Sequence, residues 1–99
     1  MNIKLVSRTT EGELLLEGRV DSVTAPEVER IIMDMTGRFD RLILNLSNLE
    51  YISSAGLRVL KNAHMTMKKK HGELILKNVP VSVMEVLEMT GFAGLLRVI

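Results

Sequence analysis

"RLILNLSNLEYISSAGLRVL", residues 41–60, holds two elements and the joint between them. Leu42, Ile43, Leu44 and Leu46 make a nearly continuous aliphatic run, which suits a strand covered by helices on at least one face. Then the period changes. Leu57 and Leu60, continued by Ala63 and Met67, recur at the spacing of one face of an amphipathic helix. Ser53, Ser54, Ala55 and Gly56 crowd the junction with small side chains. A buried strand that feeds directly into a helix is the repeating unit of an α/β fold.

The same alternation extends in both directions. Residues 3–8 and 13–20 read as strands separated by "TTEG", where Gly12 is available for the positive φ of a tight turn. In "DSVTAPEVERIIMDMTG", residues 21–37, Thr24 and Glu27 spell a capping box and Pro26 is tolerated in the first turn. Val28, Ile31, Ile32 and Met35 then recur at helical spacing, and Gly37 closes the helix. The helix opened at the central junction ends near Gly72, and "ELILKN", residues 73–78, is another strand. Ser82 and Glu85 form a second capping box over Val83, Val86, Leu87 and Met89, Gly91 ends that helix, and "LLRVI" closes as a short strand. The order β-β-α-β-α-β-α-β predicts a single α/β domain over residues 1–99. It has a mixed sheet with interspersed helices, an antiparallel hairpin followed by parallel strands joined by right-handed crossovers.

Ninety-nine residues, 46% of them hydrophobic, can build one core, and two domains would each be too small. Thirteen basic and 12 acidic residues nearly cancel, and Phe39, Tyr51 and Phe92 are the only aromatics. A nucleic-acid partner is therefore not expected, since it calls for a basic face and stacking platforms. The single basic run, Lys68 to Lys70, falls at a helix end, where cations complement the dipole. Cysteine is absent, which fits a reducing compartment and excludes thiolate metal sites. Charges interrupt the first apolar stretch, unlike a signal peptide, and no apolar run approaches membrane-spanning length. The expectation is a cytoplasmic protein with no membrane partner.

Catalytic chemistry is thin. His64 reads as a partly buried helix residue and His71 as a surface residue near a helix end, and neither has an acid at triad or metal-ligand spacing. "SSAGL" has its glycine on one side only, so it is no nucleophile elbow, and no phosphate loop is present. We expect no enzyme activity, no cofactor and no metal. Ser53 and Ser54 remain. One serine is explained as a helix N-cap. The second, with small Ala55 and Gly56 after it, fits a turn kept bare for another protein's backbone or for a phosphate. The residues alone allow a plain cap or a phosphorylatable one. A bare turn also predicts that Gly56→Val harms partner binding more than folding.

"GRVDSVTAPEVE", "RLILNLSNLEYISSAGLRVL" and "GELILKNV" resemble the STAS domain of bacterial anti-sigma factor antagonists, in order and over essentially the whole chain. In that family a serine opening the helix after the third strand is phosphorylated by an anti-sigma factor. Aligned on Gly56 and Leu57, the acceptor is Ser54, with Ser53 in the place of a frequent Asp and Ala55 in that of a second hydroxyl. The resemblance implies that Asp21 is the acidic residue near the acceptor. It places Asn45, Ser47 and Asn48 in a strand end and loop flanking the surface formed with Ser53, Ser54, Ala55, Gly56 and Leu57. It implies an anti-sigma factor serine kinase of histidine-kinase-like ATPase fold as partner, and a serine phosphatase that resets the switch. The family commonly continues into a C-terminal helix past the position of Ile99, which leaves that apolar end for a partner or second copy to bury. The same domain also occurs as a non-phosphorylated subunit of transport or signalling complexes, the alternative reading.

Overall fold

Residues 1–7 and 11–99 are described by a computed structural model of the chain. The strands are β1 (Asn2–Ser7), β2 (Glu11–Val20), β3 (Arg41–Ile52), β4 (Glu73–Lys77) and β5 (Arg97–Val98). The helices are α1 (Ala25–Thr36), α2 (Ser54–Lys69), α3 (Val81–Met89) and the single turn α4 (Phe92–Leu95). The expected order holds, with α4 inserted before the last strand. Strands lie in the sequence order β1-β2-β3-β4-β5, β1 antiparallel to β2 and the others parallel. Each parallel strand is added on the same side of its predecessor, so right-handed crossovers bring the helices to one face.

Side chains alternate across each strand, which sorts the sheet into two sets of rows. Leu14, Leu44 and Leu76 stand in register and are 1%, 0% and 0% exposed. They share one core with Val28 and Ile32 of α1, Leu57, Leu60, Ala63 and Met67 of α2, and Val83 and Leu87 of α3. The opposite row runs Val6, Glu13, Ile43, Ile75, Arg97. Ile75 is fully buried there without belonging to the main core. Charged neighbours lie over that row: Lys77 Nζ reaches Glu13 Oε1 at 3.3 Å, and Arg41 Nε reaches Glu11 at 3.5 Å and Glu73 at 3.4 Å. Arg97 pairs with Glu73 beside them.

Four local expectations are corrected. Gly12 is not a turn residue; it pairs with Ser7 and Leu42 inside the sheet and has no positive φ. A Cβ there would stand 2.6 Å from the ring of Phe39, so the missing side chain makes room for that ring. The remainder of the expected turn, residues 8–10, lies outside the described residues. Neither capping box forms. Thr24 has helical φ and ψ and makes no side-chain cap bond, and α3 begins at Val81 with Pro80 as N-cap, which leaves Ser82 inside the first turn. Finally, β3 does not stop near Leu46 but runs twelve residues to Ile52. It keeps pace with the shorter β2 segment through two register shifts, each placing one extra residue on β3.

Candidate functional site

β2 and β3 end together: Val20 pairs with Ile52, so Asp21 and Ser53 leave the sheet side by side at its C-terminal edge. Ser53 N–H donates to the Val20 carbonyl at 2.8 Å and fixes the joint. Open α/β sheets commonly place ligand and partner sites at such an edge.

Ser53 is extended (φ −93°, ψ 177°), as an N-cap requires, and its Oγ accepts from Gly56 N–H at 3.4 Å. Its carbonyl accepts from Leu57 N–H at 2.9 Å. Ser54 is the first residue of α2 and is exposed, and among the described residues its hydroxyl has no hydrogen-bond partner. The two serines therefore divide the roles the sequence left open: Ser53 caps and Ser54 faces solvent.

The turn after Gly56 is not bare in the sense expected. Gly56 is buried, and a Cβ there would stand 2.6 Å from Ile52 Cγ1 and 2.8 Å from Val20 Cγ1. Leu57 is 4% exposed and belongs to the core. Both residues shape the site from below and offer a partner no surface, which corrects their place among contact residues. Ala55 is partly exposed and faces the groove described below.

Asp21 organises the neighbouring loop. Its Oδ1 accepts from Val23 N–H at 2.9 Å and Thr24 N–H at 3.0 Å. Thr24 Oγ1 accepts from Asp21 N–H at 3.0 Å and donates to the Arg19 carbonyl at 2.8 Å. Those two backbone donors favour the ionised carboxylate and hold its pKa below the usual aspartate value. The loop thus starts α1 by an aspartate turn, in place of the threonine–glutamate box.

Asn45, Ser47 and Asn48 are not brought to this edge. All three belong to β3, whose continuation to Ile52 sets even Asn48 roughly 13 Å along the strand from the joint. Asn45 Nδ2 donates to Glu13 Oε2 at 3.1 Å, its Oδ1 accepts from Ser47 N–H at 3.1 Å, and Asn48 pairs with Glu17. They build the opposite sheet face.

Some surface residues at the edge were missed from sequence. Val23 is 84% exposed at the loop tip. The Arg19 guanidinium lies 4.4 Å from the ring centroid of Tyr51, which is 42% exposed. Between α1 and α2 a groove of about 570 Å³ is lined by Ala25, Arg30, Met33, Ala55, Arg58 and Val59, among others. The four-residue step from Ser54 to Arg58 was the signal available for that arginine. Among the described residues no group of three or more His, Cys, Asp or Glu could hold a metal, and no helix is long and apolar enough to cross a membrane.

Fold and site together define a one-sided α/β domain that presents a helix N-terminus and an aspartate-held loop at one sheet edge. The sequence profile of the STAS domain family matches residues 4–99. BtrV of Bordetella bronchiseptica, provisionally named an anti-sigma factor antagonist, is 34% identical over 99 residues, covering 97% of this chain and 85% of its own. The anti-sigma-B factor antagonist of Staphylococcus aureus is 26% identical across 99% of this chain and 92% of its own. Among solved structures, the anti-sigma factor antagonist SpoIIAA of Bacillus, in its unphosphorylated form, matches with a TM-score of 0.84 at 17% identity. That match covers 99% of this chain and 88% of SpoIIAA. The chain belongs to the STAS domain family.

Proposed function

We propose that this protein is an anti-sigma factor antagonist that works by partner switching. Unmodified, it binds an anti-sigma factor serine kinase of histidine-kinase-like ATPase fold and so releases the sigma factor. The kinase transfers the γ-phosphoryl group of ATP to Ser54 Oγ, ADP leaves and the hydroxyl proton goes to the kinase. The added charge, nearly −2, weakens the complex, and a serine phosphatase restores the starting state. Ser53, Ser54, Ala55 and the Asp21 loop make the contact surface, while Gly56 and Leu57 hold its shape. The chain supplies no catalysis, and its place of action is the cytoplasm.

The observation that carries this reading is the division of labour at the joint. A serine needed as a cap loses a structural bond when it is modified. Here Ser53 caps, so Ser54 is free to be modified without unmaking the helix start. The named relatives support the same role. The test is incubation with candidate anti-sigma factor serine kinases from the protein's own genome, with ATP, followed by peptide mass spectrometry and a pull-down. One phosphate on Ser54, and capture of the unmodified form only, is the expected result. Binding without modification under these conditions defeats the switch, and modification of Ser53 defeats the assignment of the acceptor.

A further inference from the structure

Two arginines of the groove that adjoins Ala55, the residue after Ser54, take no part in the contacts described so far. Arg58 follows Ser54 by four residues on α2 and Arg30 lies on α1, and both line the groove between the helices. Neither makes an ion pair or side-chain hydrogen bond among the described residues. Arg38, Arg41 and Arg97, in contrast, are each paired with a carboxylate. The groove floor is uncharged, built from Ala25, Met33, Ala55 and Val59, and Glu29 is the one carboxylate among its lining residues.

Side chains four apart on a helix face each other with Cβ atoms about 5–6 Å apart, and the anion-first order is the favourable one. A guanidinium spans that gap and binds phosphate with two parallel hydrogen bonds. We propose that Arg58, assisted by Arg30, receives the phosphate of phosphorylated Ser54 within the same chain. Phosphorylation then does more than repel a partner. It neutralises the two cations of the groove, which in the unmodified form are free to take a partner's carboxylates. Glu29 opposes the capture from the far wall, so Glu29→Gln tightens it. The proposal rests on Ser54 being the modified residue, but its test does not need the kinase.

Phosphoserine is installed at position 54 of the full chain by genetically encoded incorporation, and the phosphate is titrated by phosphorus NMR. Its second pKa, ordinarily about 6, is expected to lie about 0.15–0.4 unit lower in the parent than in Arg58→Gln, by the strength of a helix-surface ion pair. Arg30→Gln gives a smaller rise, and Arg38→Gln, just past the C-terminal end of α1, gives none. The difference collapses in about 1 M salt, and the Arg58 Nε resonance moves on phosphorylation. Equal phosphate pKa values in the parent and Arg58→Gln, both folded by their amide spectra, overturn the proposal. A kinase that fails to modify Ser54 defeats the functional reading and leaves this comparison intact.

Discussion

Gly56 sits where two β-branched side chains close over the start of α2. Ile52 and Val20 have stiff rotamers, so the Cβ of Gly56→Ala, 2.6 Å and 2.8 Å from their nearest carbons, forces the helix outward. Overpacking of this kind costs about 1–3 kcal/mol, against a helix-propensity gain of about 1 kcal/mol. Urea denaturation is expected to show net destabilisation for Gly56→Ala and a larger loss for Gly56→Val, before any partner is added. The serines separate by the same measurement. Ser53→Ala loses a cap bond and about 1 kcal/mol. Ser54→Ala stays within about 0.5 kcal/mol and binds the kinase constitutively. Ser54→Asp adds a carboxylate to a first turn that has none, gaining about 0.3–1 kcal/mol while weakening the complex. Asp21 adds a pH signature. Its native pKa is depressed, so its contribution is complete above the unfolded value of 3.8 and drains away as pH falls through the lower native value. The stability gap between the parent and Asp21→Asn is expected at neutral pH and vanishes in acid. A gap that persists there assigns the effect to hydrogen-bond geometry and not to charge.

At the scale of elements, residues that bury apolar surface were legible and residues that arrange backbone were not. Val28, Ile32 and Met35 on α1, and Leu57, Leu60, Ala63 and Met67 on α2, were placed by period alone and are buried as expected. The capping boxes failed for a shared reason. A hydroxyl caps only where its own backbone is extended, and local hydrogen bonding decides that. At α1 the Asp21 carboxylate took the loop amides first, and at α3 Pro80 supplied the extended residue one position before Val81. Ser82→Ala is therefore expected to change stability by less than about 0.5 kcal/mol, where a true cap would lose about 1 kcal/mol. The reach of β3 was hidden because its two extra residues break the alternation that marks a strand: Leu49 and Ile52 both point inward three positions apart. That same irregularity carried Asn45, Ser47 and Asn48 away from the joint. Ser53, Ser54 and Asp21 were singled out beforehand by their place at strand ends and by the family resemblance, but which serine caps was not legible, because that depends on the backbone conformation of each. The arginine groove was not, since it needs two helices to be in contact.

The whole molecule has one sheet face under helices and one that no described helix covers. Ion pairs lie across the second face, and they invite the conclusion that charge holds it. Magnitudes decide otherwise. The Glu13–Lys77 side chains are 27% and 38% exposed, and pairs so solvated contribute about 0.2–1 kcal/mol. Beneath them Ile75 has no exposed surface and Ile43 only 9%. The charged residues act chiefly through their carbon stems, which cover the isoleucines while their heads stay wet. The double replacement Glu13→Gln with Lys77→Met removes both charges while keeping side chains of similar length over the isoleucines, and is expected to lose less than about 1 kcal/mol, a loss that disappears in about 1 M salt. Ile75→Ala is expected to lose about 2–5 kcal/mol, the range of a core deletion, at any salt concentration. Urea melts of both variants at low and high salt make the comparison. If the charge-neutral pair proves the costlier change, electrostatics and not burial closes this face, and the sheet needs its ion pairs to remain one-sided.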